Sequence, residues 1–147
     1  MIPLLLERLL RQKQNRGIPI TTWLLMPMKT ISMKAEFGWV KVNGVKYEKD
    51  IVIHSDGRIT KRKKKKSKDL KLTYGHTPLS ELELEFLSRE KFKVLYVGTG
   101  HQNSLPLTPK ALQILKKHNA VILSTPEIIG KIEQEERKFD AIIHVTC

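Results

Sequence analysis

Three short apolar runs, at residues 94–97, 120–123 and 141–145, punctuate the second half of the chain, and the segments between them carry helical periodicity. Runs of this length, apolar at every position but His144, are strands buried between two layers. The segment after the first run opens at Thr108-Pro109, and the segment after the second opens with Ser124-Thr125-Pro126-Glu127. A hydroxyl that accepts from backbone N–H groups, followed by a proline that lacks one, marks a helix start. The first of these helices carries an apolar stripe of Ala111, Leu112, Ile114 and Leu115. The second turns Ile128, Ile129 and Ile132 inward.

Upstream the pattern is β. Val40 and Val42 alternate with Lys41, and Val45 and Tyr47 with Lys46; between them lies Asn43-Gly44, the pair a type I′ hairpin turn favours. Residues 51–54 form a further strand, and Ser55-Asp56-Gly57-Arg58 turns the chain into Ile59. Leu70, Leu72 and Tyr74 alternate as another strand before Gly75-His76. Ser80 and Glu83 fit a capping box at the start of a helix, with Leu79 and Leu84 as its hydrophobic staple and Leu82 and Phe86 toward the core. The order is a β-meander followed by α-β-α-β-α-β. It predicts a single three-layer α/β domain, a central mixed sheet with helices and an N-terminal antiparallel meander.

Residues 1–33 break this pattern. Leu4, Leu5, Leu6, Leu9 and Leu10 with Glu7, Arg8 and Arg11 describe a short amphipathic helix that Gly17 and Pro19 end. The expected division is an extension over 1–33 and a folded domain over 34–147. Two readings of the extension stand: residues upstream of a start at Met28 or Met33, or an arm that docks on the domain or on a partner.

Charge changes the picture locally. The 147 residues carry a net charge of +12. Residues 58–71 hold nine basic groups and one acid, residues 1–33 five and one, and the remainder balances at thirteen against thirteen. The basicity therefore belongs to two segments and not to the body of the domain. A run such as Lys61-Arg62-Lys63-Lys64-Lys65-Lys66-Ser67-Lys68 repels itself and reads first as a solvated loop. The same cations, Lys61, Arg62, Lys63, Lys64, Lys65, Lys66 and Lys68, would hold nucleic acid through phosphate contacts, but no aromatic residue is interleaved to stack a base. One cysteine, Cys147, excludes an intrachain disulfide and points to a reducing, cytoplasmic setting. No stretch approaches the ~20 apolar residues of a membrane span.

Candidate chemistry gathers after the first apolar run. Gly98-Thr99-Gly100-His101 turns sharply, and Ser124-Thr125 follows the next strand, so both turns fall at strand ends where α/β domains bind ligands. Gly98, Thr99, Gly100, His101, Ser124 and Thr125 are thus the expected lining of a small-ligand or anion pocket, with an enzymatic pocket using His101 and Thr125 as a form of the same alternative. The run matches neither a Walker loop nor a dinucleotide fingerprint, and the next helix starts only near Pro109. His76, His101 and His144 lack the short spacing of metal ligands. His144 and Cys147 are three apart, on opposite faces of one strand, and Ser104 and Ser124 lack a Gly-x-Ser-x-Gly context. No catalytic group, metal site or cofactor is expected, and no oligomeric state is indicated.

Asp56-Gly57 after a strand, Gly75-His76 before the capped segment, Gly98-Thr99-Gly100, Ser124-Thr125 and the final His144-Val145-Thr146-Cys147 occur in an order and spacing that resembles the Mth938-like family, over roughly residues 37–147. The resemblance implies a compact three-layer α/β domain to which no enzymatic activity is attached. The family's eukaryotic members include a mitochondrial assembly factor for respiratory complex I and a cytosolic protein linked to adipocyte differentiation. It therefore implies a non-catalytic protein-binding or assembly role, with a protein partner, in preference to an enzyme. Many relatives carry a Tyr-Asn pair on the helix after the threonine; here that helix reads Ile128-Ile129-Gly130-Lys131-Ile132, so no polar role of the pair carries over.

Overall fold

Asn43 and Gly44 both take positive φ, 50° and 84°, and the two strands they join pair across them. In the computed structural model, which describes residues 31–147, strands β1 (Met33–Glu36), β2 (Trp39–Val42) and β3 (Val45–Tyr47) form a three-stranded antiparallel sheet. The meander does not continue from there. β4 (Ile51–Ile53) and β5 (Ile59–Lys61) leave it and join β6 (Val94–Gly98), β7 (Val121–Leu123) and β8 (Phe139–Ile143) in a five-stranded mixed sheet of order β5-β4-β8-β6-β7. β6 pairs in parallel with both β7 and β8, and β4 runs antiparallel to β8.

Three layers follow from the period-two burial of these strands. Val94, Tyr96, Ala141 and Ile143 face one side, where helix α3 (Thr125–Glu133) packs through Ile128, Ile129 and Ile132 together with Val40 and Val42 of the small sheet. Leu95, Val97, Ile142 and Val52 face the other, against Ala111 and Leu115 of helix α2 (Pro109–Lys117) and Leu79, Leu84 and Leu87. Both helices start as their sequences predict. Thr108 Oγ1 accepts from the Ala111 N–H at 3.1 Å, and Ser124 Oγ accepts from the Glu127 N–H at 3.4 Å. β7 is an edge strand, half-buried and not fully buried as its apolar run suggests.

Two expectations fail between residues 64 and 89. The alternating Leu70, Leu72 and Tyr74 are not a strand. Lys64–Leu70 is a 3₁₀ segment, followed by a single helical turn, α1 (Lys71–Tyr74), and Leu72 is 98% exposed. Ser80 and Glu83 make no capping box. Glu81–Glu83 and Glu85–Arg89 are 3₁₀ turns, the Ser80 side chain makes no capping bond, and Leu82 faces solvent. At Ser80 and Glu83 a buried polar cluster takes the groups that a capping box would have used. Ser67 Oγ bonds Ser80 Oγ at 2.6 Å and Glu83 Oε2 at 2.5 Å, which holds the lysine-rich segment down onto the domain. The amphipathic helix expected around residues 4–11 lies outside the described residues.

Candidate functional site

The parallel pairing of β6 with β7 and β8 brings the ends of all three strands to one side of the sheet, and the turns at 98 and 124 are in contact. The Gly100 N–H donates to Thr125 Oγ1 at 2.9 Å, the Thr125 N–H to the Gly100 carbonyl at 3.0 Å, and the His144 N–H to the Gly98 carbonyl at 3.0 Å. Thr125, wholly buried, donates its own hydroxyl to the His144 carbonyl at 2.6 Å. Thr99 Oγ1 bonds Asn103 Oδ1 at 2.6 Å, and Ser124 caps α3. The last residues fold over this turn: the Gln102 and Ser104 N–H groups donate to the Cys147 carbonyl at 2.7 and 3.0 Å, and that of His101 to the Thr146 carbonyl at 2.8 Å. Gly100, at φ 98°, has the Cys147 carbonyl carbon 2.1 Å from where a Cβ would stand. Glycine is needed there for both conformation and space. His101 lies beside Phe37, ring centroids 6.0 Å apart, and its Nε2 is buried without a hydrogen-bond partner.

A second feature has no counterpart in the sequence reading. A cavity of about 110 Å³ lies over β4 and β5, floored by Val52, Leu79, Phe86 and Ile142 and rimmed by Lys61, Lys63, Lys66 and Arg89. Arg62, expected among the solvent-facing cations, is buried in its wall. Its Nε donates to Glu83 Oε1 at 2.7 Å. One terminal nitrogen donates to Asp50 Oδ2 at 2.9 Å, and the other to Glu83 Oε2 at 3.0 Å and to the Pro78 carbonyl at 2.6 Å. The planar fork of arginine satisfies two carboxylates at once, which a lysine would not. Asp50 also bonds His144 Nδ1 at 2.8 Å and accepts from the Val145 N–H at 2.9 Å, so the cluster reaches across to the Thr125 turn. Burial alone would raise the Asp50 pKa; the bond to and charge of His144, the Val145 N–H and Lys64 outweigh it and hold the carboxyl at about 2.

Of the histidines expected at strand ends, His144 is tied to Asp50 and His76 sits in an exposed turn. The side chains that do converge are His54, Glu90 and Asp140, whose potential ligand atoms lie within 4.8 Å of one another. They occupy the opposite end of the sheet from the Gly98 turn, where the β4–β8 register of Ile53 with Ala141 sets His54 beside Asp140. His54 Nδ1 bonds Glu90 Oε1, and Nε2 bonds Thr60 Oγ1 at 2.7 Å. Burial first, and then the charge of Glu90, pushes the Asp140 carboxyl up to about 6. The sequence pattern singled out none of Asp50, His54, Glu90 and Asp140, and it put Arg62 on a solvated loop and Glu83 in a capping box. Two signals were present: one arginine in a run of lysines, and an acid inside the apolar strand around residues 139–143.

Among the described residues no helix is long and apolar enough to cross a membrane. No family model and no curated protein matches the chain. Solved structures do. A conserved hypothetical protein of Pyrococcus horikoshii OT3 is 36% identical, its match covering 82% of this chain and 100% of its own, with a TM-score of 0.68. The protein MT938 is 34% identical, covering 80% of this chain and 98% of its own, with a TM-score of 0.64. A Bordetella pertussis protein solved by NMR as a Mth938-like domain is a more distant likeness, 18% identical over 82% of this chain and 89% of its own, with a TM-score of 0.48. Identity at the level of the first two, over nearly their whole length and on the same three-layer fold, makes the assignment: the chain belongs to the Mth938-like family.

Proposed function

We propose that this domain is a non-catalytic binding module that receives an acidic segment of a partner protein at the lysine-rimmed cavity. The observation that carries this reading is the cavity itself, an apolar floor beneath Lys61, Lys63, Lys66 and Arg89. Arg62 and Glu83 of its wall bond each other and, behind the wall, Asp50 and Ser67, with Ser67 bonded to Ser80, which holds the wall in shape. A cavity of about 110 Å³ has room for several water molecules or for the end of a side chain. Clustered cations at the mouth draw an acidic chain and lend the association a dependence on salt. The absence of aromatic residues from 61–68 favours a protein over a nucleic acid.

The test is a titration of the full chain with a labelled glutamate-rich peptide, with single-stranded RNA of equal charge as the comparison. The expected result is saturable peptide binding that weakens with salt and is lost in the Lys61→Ser, Lys63→Ser, Lys66→Ser variant, with NMR shifts at Leu79 and Phe86. Tighter binding of the RNA, or peptide binding indifferent to the three lysines, would overturn the reading.

One observation favours a second surface. His101 Nε2 is buried and unpartnered beside the Gly98-Thr99-Gly100 turn, and Phe37, 58% exposed, adjoins it. A partner's acceptor group or a small polar ligand reaching His101 beside Phe37 would satisfy that nitrogen, with Gly98, Thr99, Gly100, Ser124 and Thr125 as the buried frame that holds the turn. Titration with acetate and with phosphate would then shift the amide signals of Gly100 and His101; unmoved signals at millimolar anion would dismiss the small-anion form of this reading.

A further inference from the structure

We propose that His54, Glu90 and Asp140 form a binding site for a divalent first-row transition metal ion, beside the lysine-rimmed cavity whose wall His54 shares. Each supplies one potential ligand atom, and the three lie within 4.8 Å of one another. An imidazole nitrogen with two carboxylates suits zinc, cobalt, manganese or iron better than magnesium or calcium, which prefer oxygen alone. The independent sign of a missing ligand is Asp140. The residue is wholly buried, its Oδ1 accepts the Ser55 N–H at 2.7 Å, and its Oδ2 is buried with no hydrogen-bond partner. A buried carboxylate oxygen with nothing bonded to it is costly, and a cation removes that cost.

The surrounding groups are those a metal site uses. With Nδ1 of His54 on the ion, Nε2–H donates to Thr60 Oγ1, already 2.7 Å away, which fixes the tautomer and the ring plane. The Ser55 N–H orients Asp140 in the same way. Phe86 packs edge-on against the His54 ring, centroids 5.4 Å apart, and helps hold its plane. Ligand atoms ~2.1 Å from a shared tetrahedral ion stand ~3.5 Å apart, so His54 Nδ1 and Glu90 Oε1, now bonded to each other, must part to admit the ion, and a pair near the 4.8 Å limit must close by about 1 Å. Glu90 supplies that movement, because it ends the Glu85–Arg89 turn and is the only one of the three that is not fully buried. Arg58, 3.9 Å from Glu90 and bonded to Asp56, is the facing cation; its side chain is largely exposed and free to swing outward as the ion enters. With three protein ligands, the ion keeps a position open to water or to a ligand atom.

The test uses the full chain, stripped with a chelator and titrated with zinc alone by calorimetry, and with manganese alone while amide NMR signals are followed. One equivalent of zinc is expected. Affinity should fall about tenfold or more in Glu90→Gln, a change at the least buried of the three residues, and in Asp140→Asn if that variant melts cooperatively. Manganese should broaden signals around His54, Glu90 and Asp140 in the unaltered protein, which requires no variant to fold. Absence of saturable binding, broadening centred elsewhere, or an affinity indifferent to Glu90→Gln would overturn the proposal.

Discussion

Replacing Arg62 by methionine probes the buried cluster most directly, because the aliphatic stem is kept and only the charge and its donors are lost. In the native protein the guanidinium meets Glu83 twice, at 2.7 and 3.0 Å, Asp50 at 2.9 Å and the Pro78 carbonyl at 2.6 Å, with both partner carboxylates almost wholly buried. Its removal leaves two carboxylates out of water without their shared cation. Breaking a buried pair by deleting one member costs about 3–5 kcal/mol, since the surviving charge keeps its desolvation penalty. For a domain of this size that is a fall in Tm of roughly 10–20 °C. Urea unfolding followed by circular dichroism measures it. The companion variant Glu83→Gln removes one of the stranded charges, so the double variant should lose less than the sum of the singles by about 1 kcal/mol or more. A loss below ~1 kcal/mol for Arg62→Met, or strict additivity, would show that the cluster does not hold the wall and would refute the reasoning.

Three further outcomes are expected. The Asp50 carboxyl is held at about 2 in the folded chain, below its ordinary 3.8, so its contribution is present above pH 3.8 and lost as pH falls toward 2. The step is about 2 kcal/mol on that shift, and Asp50→Asn should flatten this part of the stability profile. Thr125→Val keeps the shape but strands the Gly100 N–H and the His144 carbonyl, and chemical denaturation should register a loss of about 1–3 kcal/mol. Gly100→Ala combines φ 98° with a Cβ 2.1 Å from the Cys147 carbonyl carbon. It should cost about 2 kcal/mol or more, with hydrogen exchange increased at Gln102 and Ser104, whereas a melt unchanged from wild type would show that the last residues do not close over the turn.

Much of the fold was readable because it rests on local rules. The Asn43-Gly44 hairpin, the Thr108 and Ser124 caps and the buried β6 each follow from short spacings, and each appears where the spacing puts it. The segment from 62 to 90 was misread because its conformation answers to a distant demand. Glu83 fits a capping box by its neighbours, but the guanidinium of Arg62 offers stronger, charge-assisted bonds, and Glu83 goes there. Ser67 and Ser80, surface residues by type, are buried by the same cluster. The expected turns at 98 and 124 do meet, but the Cys147 carbonyl covering them belongs to no local motif.

Chain order and hydrophobic period alone determined the α/β class, the two capped helices and the strands that lie between them, because burial periodicity and terminal hydrogen bonding act over a few residues. The sequence also localised the basic charge to 58–71. Only the tertiary structure decided which polar residues matter. Asp50 with Arg62 and Glu83, and His54 with Glu90 and Asp140, come together by crossing from strand to strand and from sheet to overlying turn. No spacing along the chain encodes such meetings, because the distances that set ion pairing and metal ligation are those of the packed sheet.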